Sequence, residues 1–112
     1  MKLSTEIERS LQWESERGIQ NGNWGGDRIQ AELDEAKEED DLYKKLVEYA
    51  DVAIILFGSV GAVLKHLDLE AHVFEGIIEE KRAINQRKYP VEEFQKRSVP
   101  EALAHCRKEW ET

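Results

Sequence analysis

The sequence predicts an all-α protein: a four-helix-type bundle with an additional short C-terminal helix, its second and third helices forming an acidic antiparallel hairpin. Two observations carry that expectation. Charged residues make up 36% of the 112 residues and only two are proline, a composition that favours helix over sheet. Apolar residues recur at helical spacing in segments divided by turn signals and opened by capping boxes. A chain of this length makes one domain, residues 1–112, and buries about two thirds of its unfolded surface.

The elements follow in order. Thr5 and Glu8 form a capping box, and Leu3, Ile7 and Leu11 make a narrow apolar stripe along a first helix that fades near Gly18. Residues 19–27, IQNGNWGGD, are rich in glycine and asparagine and read as a loop that ends on a capping Asp27. The second helix runs from about Arg28 to Glu39 and buries Ile29, Leu33 and Ala36. A polar tip, Glu38 to Asp41, leads into a third helix from Asp41 or Leu42 to about Leu64. That helix is apolar nearly all round, the mark of a central and most buried element, and Gly58 and Gly61 permit a close crossing or weaken it. His66-Leu67-Asp68 reads as a break with Asp68 as N-cap, and a fourth helix spans about Leu69 to Arg87. Pro90 ends it by biasing Tyr89 away from helical geometry. Ser98-Val99-Pro100-Glu101 is a second capping box, opening a last helix through Ala102, Leu103, Cys106 and Trp110.

Charge and composition narrow the classes. A net charge of −8 argues against a nucleic-acid-binding surface, although it permits nucleotide binding where a metal reverses the local field. The single cysteine, Cys106, allows no internal disulfide and suits a reducing cytoplasm. The first turn carries no signal pattern, and the longest apolar run, Val52 to Phe57, is too short to span a membrane. A cytoplasmic protein with no membrane partner is expected. Trp13, Trp24 and Trp110 lie outside the obvious stripes, and burying them calls for self-association.

The chemistry lies in two acidic i, i+3 steps, Glu32-x-x-Glu35 and Glu48-x-x-Asp51. Residues three apart share a helix face, so each step points two carboxylates one way. Reflection of the hairpin about Asp41 sets Glu35 near Glu48 and Glu32 near Asp51. Carboxylates gathered beside apolar residues need compensation, and a hard divalent cation offers it, so the four describe an Mg²⁺ site suited to phosphate chemistry. The other reading is a solvated acidic face paired with Lys37, Lys44 or Lys45. That reading fits Glu38, Glu39, Asp40 and Asp41 better, because they form the tip. No Gly-x-x-x-x-Gly-Lys loop is present, and His66, His72 and His105 lack metal-ligand spacing.

The order Glu-x-x-Glu, a short gap, then Glu-x-x-Asp and an apolar run resembles the MazG-like nucleotide pyrophosphohydrolases of the all-α NTP pyrophosphatase superfamily. The segment EKRAINQRKYP adds to the likeness, with Lys81, Asn85, Arg87 and Lys88 ahead of Tyr89-Pro90. The resemblance covers roughly residues 27 to 90. It departs at Ala31-Glu32, where the family usually has two adjacent glutamates. The resemblance implies cleavage of a nucleoside triphosphate to a monophosphate and pyrophosphate, with Mg²⁺, or Mn²⁺ in its place, held by Glu32, Glu35, Glu48 and Asp51. Glu35 is the first choice to orient or deprotonate the water. Lys81, Asn85 and Lys88 would then meet the triphosphate, although cations at a helix C-terminus are also favourable without a ligand. Trp24 either stacks on a base or anchors its loop; Trp13 and Tyr89 are further candidates for a base wall. The resemblance also implies a homodimer or homotetramer. The competing classes are a non-catalytic helical interaction protein with an acidic face and a phosphoribosyl-ATP pyrophosphatase on the same fold.

Overall fold

The computed structural model describes residues 2–19 and 25–112, and these form six helices and no strand: α1 (Leu3–Glu16), α2 (Gly25–Glu38), α3 (Leu42–His66), α4 (His72–Lys88), α5 (Val91–Lys96) and α6 (Val99–Glu111). The protein is all-α, as its composition requires. It divides into two compact units, Met1–Glu75 and Gly76–Thr112.

In the first unit α1 and α2 both pack on α3. α1 starts three residues earlier than its capping box predicts. Lys2 occupies the cap position without a side-chain bond, and the Glu75 carboxylate accepts the Ser4 N–H at 2.9 Å. A distant carboxylate thus satisfies one of the open N–H donors of the first turn, and it also favours the positive end of the helix. Gly18, at φ 67°, closes α1 in the left-handed region, its N–H donating to Ser15 O at 3.2 Å.

The stripe that α1 buries is Ile7, Ser10 and Glu14. It meets α3 at Gly58 and Gly61, which give the close crossing that their spacing allowed. A Cβ on Gly61 would stand 3.2 Å from Ile7 Cγ2 and 3.4 Å from Leu11 Cβ. A Cβ on Gly58 would overlap the Glu14 carboxylate instead. The two glycines should therefore respond differently to alanine. Gly61→Ala is expected to cost about 1–3 kcal/mol, because packed aliphatic groups must move. Gly58→Ala is expected to lie within about 1 kcal/mol of the parent: it gains helix propensity and expels a flexible carboxylate. Denaturant unfolding of the two variants checks the contrast.

α2 and α3 form the hairpin, joined by Glu39, Asp40 and Asp41 alone, and Asp41 caps α3 by accepting the Lys44 N–H at 2.9 Å. α2 begins at Gly25 rather than Arg28, and Ala36 is fully buried in its packed face. α3 is central but is not buried all round. Ile55, Gly58, Gly61, Ala62 and Leu64 are buried, whereas Leu42 is 80% exposed and Leu46, Tyr49, Leu56, Val63 and Leu67 are exposed with it. Taken whole, α3 is long and apolar enough to cross a membrane by length and composition, which counting the uninterrupted run Val52–Phe57 overlooked. Asp68 is not an N-cap. It adopts φ 58° in the turn that ends α3, a conformation that Asp tolerates better than most residues, and α4 starts at His72.

The second unit contains most of α4 together with α5 and α6. Pro90 both ends α4 and, in extended geometry, stands at the N-cap of α5, a six-residue helix absent from the sequence expectation. Glu92 and Glu93 in its first turn and Lys96 in its last complement the helix dipole, and Glu93 pairs with Arg97. α5 packs on α6, whose Ser98 cap accepts the Glu101 N–H and whose Ala102 and Cys106 are buried.

Candidate metal centre

The hairpin register sets α2 against the first turns of α3 so that Glu32, Glu48 and Asp51 converge. One carboxylate oxygen from each lies within 4.8 Å of the others. Glu32 is only 4% exposed, Glu48 is half-buried and Asp51 is exposed, so the cluster opens from the helix interface toward solvent. Glu35 is exposed and stands outside this trio, but its carboxyl is near enough to share a proton with that of Glu32.

Burial raises the Glu32 pKa, and the neighbouring charge of Glu35 raises it further. The Arg28 guanidinium lowers it, and the Asp51 charge adds a further rise. Arg28 Nη2 sits 2.9 Å from Glu32 Oε1, one helical turn earlier on α2. An oxygen-rich, crowded and partly buried cluster of this kind fits a hard divalent cation.

Glu32 and Asp51 of the cluster line one side of a cleft of about 830 Å³ within the first unit. α1 supplies the opposite wall through Arg9, Trp13 and Glu14, and Ile54 and Ile55 of α3 supply an apolar floor. Its volume is that of a small-molecule site. Trp13 is 45% exposed, with the Arg17 guanidinium 4.2 Å from its ring centroid. Glu14 is 6% exposed, and burial raises its pKa.

Of the site residues expected from sequence, Glu32, Glu48 and Asp51 come together, with Glu35 beside Glu32. Trp13 lies on the same cleft. Lys81 and Asn85 are exposed on α4 and Lys88 is half-buried there, all three in the second unit. Lys88 Nζ lies 5.3 Å from the centroid of the Tyr89 ring, and the Asn85 carbonyl accepts the Tyr89 N–H at 2.8 Å. A hydrogen bond with Arg107 lowers the Tyr89 pKa, and burial partly opposes it. Trp24 lies outside the described residues. Sequence reasoning missed Glu14 and Arg28. Glu14 stands seven residues after Ile7 on the α1 stripe, and a carboxylate at that spacing is a readable signal; Arg28, one turn before Glu32, is another.

Compared with protein-family models, with characterised proteins and with solved structures, the chain matches none.

These shifts fix the sign of a pH effect. Glu14 and Glu32 titrate above the ordinary value of 4.5, so the native state holds protons that the unfolded chain releases. Their contribution to stability is full below that value and is lost as pH rises through the raised native values. Glu75, lowered by its bond from Ser4, acts in the opposite sense, but only below the ordinary value. The cation-free protein should therefore melt at a higher temperature as pH falls from neutral toward about 5, and Glu14→Gln should flatten that slope in circular-dichroism melts.

Proposed function

We propose that the protein is a Mg²⁺-dependent nucleoside triphosphate pyrophosphohydrolase of the MazG-like kind, releasing pyrophosphate and a nucleoside monophosphate. The observation that carries this reading is the convergence of Glu32, Glu48 and Asp51, two of which, Glu32 and Asp51, line a nucleotide-sized cleft. Mg²⁺ bound there, or Mn²⁺, would neutralise phosphate oxygens and polarise the reacting phosphate. Glu35, outside the trio yet beside it, is free to hold a water or take its proton. Trp13 offers a ring to a base across the cleft, whereas Lys81, Asn85 and Lys88, expected from the sequence to meet the triphosphate, belong to the second unit.

The protein works as a homodimer or larger homo-oligomer in the cytoplasm on this reading. Leu42, Leu46, Tyr49, Leu56, Val63 and Leu67 follow one another at steps of four, three, seven, seven and four residues along α3 and its C-cap and are all exposed, a seam of coiled-coil spacing that a second copy would cover. The same seam is what a non-catalytic helical interaction protein would use, and this is the alternative. A panel of ribo- and deoxyribonucleoside triphosphates with Mg²⁺ separates them: pyrophosphate, not orthophosphate, should appear from at least one substrate. Absence of turnover across the panel would favour the interaction protein.

A further inference from the structure

We propose that two copies of the chain pair antiparallel along α3, Leu42 of one copy against Leu67 of the other, about a two-fold axis at the level of Ile54 and Ile55. This gives a direction and a register to the contact between copies named above. It rests on that contact and not on the hydrolase chemistry.

The outer side of α3 is a complete heptad seam. Ala53 and Val60, both half-buried, fall in the two seven-residue gaps and divide each into steps of four and three. Apolar residues therefore recur at alternating steps of four and three from Leu42 to Leu67 without a break. A repeat of 3.5 residues keeps a stripe turned toward one neighbouring helix, a period that a lipid surface does not impose. α1 and α2 pack on other sides of α3 and leave the seam open. Lipid all round α3 would also meet Glu48 and Asp51 on the same helix, at a high cost in hydrocarbon. The six exposed seam residues each show 46% to 80% of their surface, on the order of 600 Å² per copy, and two copies together reach the roughly 1,200 Å² of a specific interface.

Side-chain size sets the direction. The alternation of four and three reads the same from either end, so reversed copies stay in register along the whole seam. Leu42 then meets Leu67, Leu46 meets Val63, Tyr49 meets Val60 and Ala53 meets Leu56. The largest seam residue faces a valine and the smallest faces a leucine, which fills the layer between the helices evenly. In a parallel pair each residue meets itself: Tyr49 crowds Tyr49, and Ala53 faces Ala53 across a void. A parallel pair would also set the two acidic tips, Glu38 to Asp41, side by side and align the two helix dipoles. The antiparallel pair holds the tips apart by the length of α3 and opposes the dipoles.

The test is sedimentation together with disulfide trapping. The parent should sediment at twice 13.0 kDa. Leu46→Lys and Leu56→Lys, at positions exposed in the single chain, should each sediment at 13.0 kDa with unchanged helicity by circular dichroism. Leu42→Cys and Leu67→Cys proteins, mixed and oxidised, should join position 42 of one copy to position 67 of the other about tenfold more than like joins like, because only the antiparallel pair brings those backbones within disulfide reach. Peptide mapping separates these products from any formed by the buried Cys106. A predominant 42-to-42 or 67-to-67 disulfide would overturn the proposal in favour of a parallel pair. A parent of 13.0 kDa, or lysine variants that keep the parent's mass, would overturn it as well, and a monomer that partitions onto phosphatidylcholine vesicles would assign the seam to lipid. A monomer that releases pyrophosphate overturns the pairing and leaves the hydrolase chemistry standing. An antiparallel dimer that turns over no triphosphate does the reverse.

Discussion

Asp51→Asn and Glu48→Gln are each expected to lower Mg²⁺-dependent pyrophosphate release by about 10²-fold or more. Each exchange keeps side-chain volume almost constant and removes one charge from a cluster whose oxygens lie within 4.8 Å of one another. Loss of one preorganised electrostatic partner at a phosphate site is worth about this much. The cation-free variants should be no less stable than the parent, because repulsion with Glu32 is relieved. Glu39→Gln and Asp40→Asn, in the three-residue connection between α2 and α3, should leave turnover within about twofold, as surface changes away from a site usually do. Pyrophosphate assays on the four variants, with melts alongside, decide the matter: an active Asp51→Asn protein would remove Asp51 from the site.

Ile7→Ala is expected to destabilise the first unit by about 2–5 kcal/mol, a large share of the total stability of a small domain. Among the described residues Ile7 is the largest side chain that is fully buried, and it touches α3 where Gly61 allows the backbones to close up. Little around it can collapse into the cavity, because the neighbouring position has no side chain. Denaturant unfolding should show a lower midpoint with an unchanged slope. A loss under about 1 kcal/mol would mean that the α1–α3 contact contributes little.

The helices were legible where local chemistry decided them. The Ser98 box with Pro100 and the start of α3 beside the polar tip are decided within one or two turns, and the structure follows both. The meeting of Glu32 with Asp51 was legible for a related reason, since a short hairpin tip fixes register and register fixes which carboxylates meet; Glu35, expected near Glu48, stands outside the trio. Failures came where distant groups intervened. The Thr5–Glu8 box gave way to Glu75, which no local rule connects to Ser4. Asp68 took a left-handed turn that its side chain tolerates, although the same side chain suits an N-cap. α5 has too few residues for periodicity to register. Glu14 escaped notice because a carboxylate on an apolar stripe reads as an interruption until Gly58 is seen to make room for it.

The polarity of α3 is inverted along its first turns. Glu48 and Asp51 face α2, and the core residues Ile55, Gly58 and Ala62 continue that same side of the helix, while leucines and a tyrosine face outward. A water-soluble helix normally hides its oily side and shows its charged one. Here the first turns are acidic toward α2 and apolar toward the surroundings, and from Ile55 onward the protein-facing side is apolar as well. Colloidal behaviour and chemistry are consequently written on opposite sides of a single rod. Lysine at Leu46 or Leu56 would change how the molecule disperses in water and leave the acidic side unaltered, so solubility can be engineered, or can drift in evolution, independently of what the cluster does.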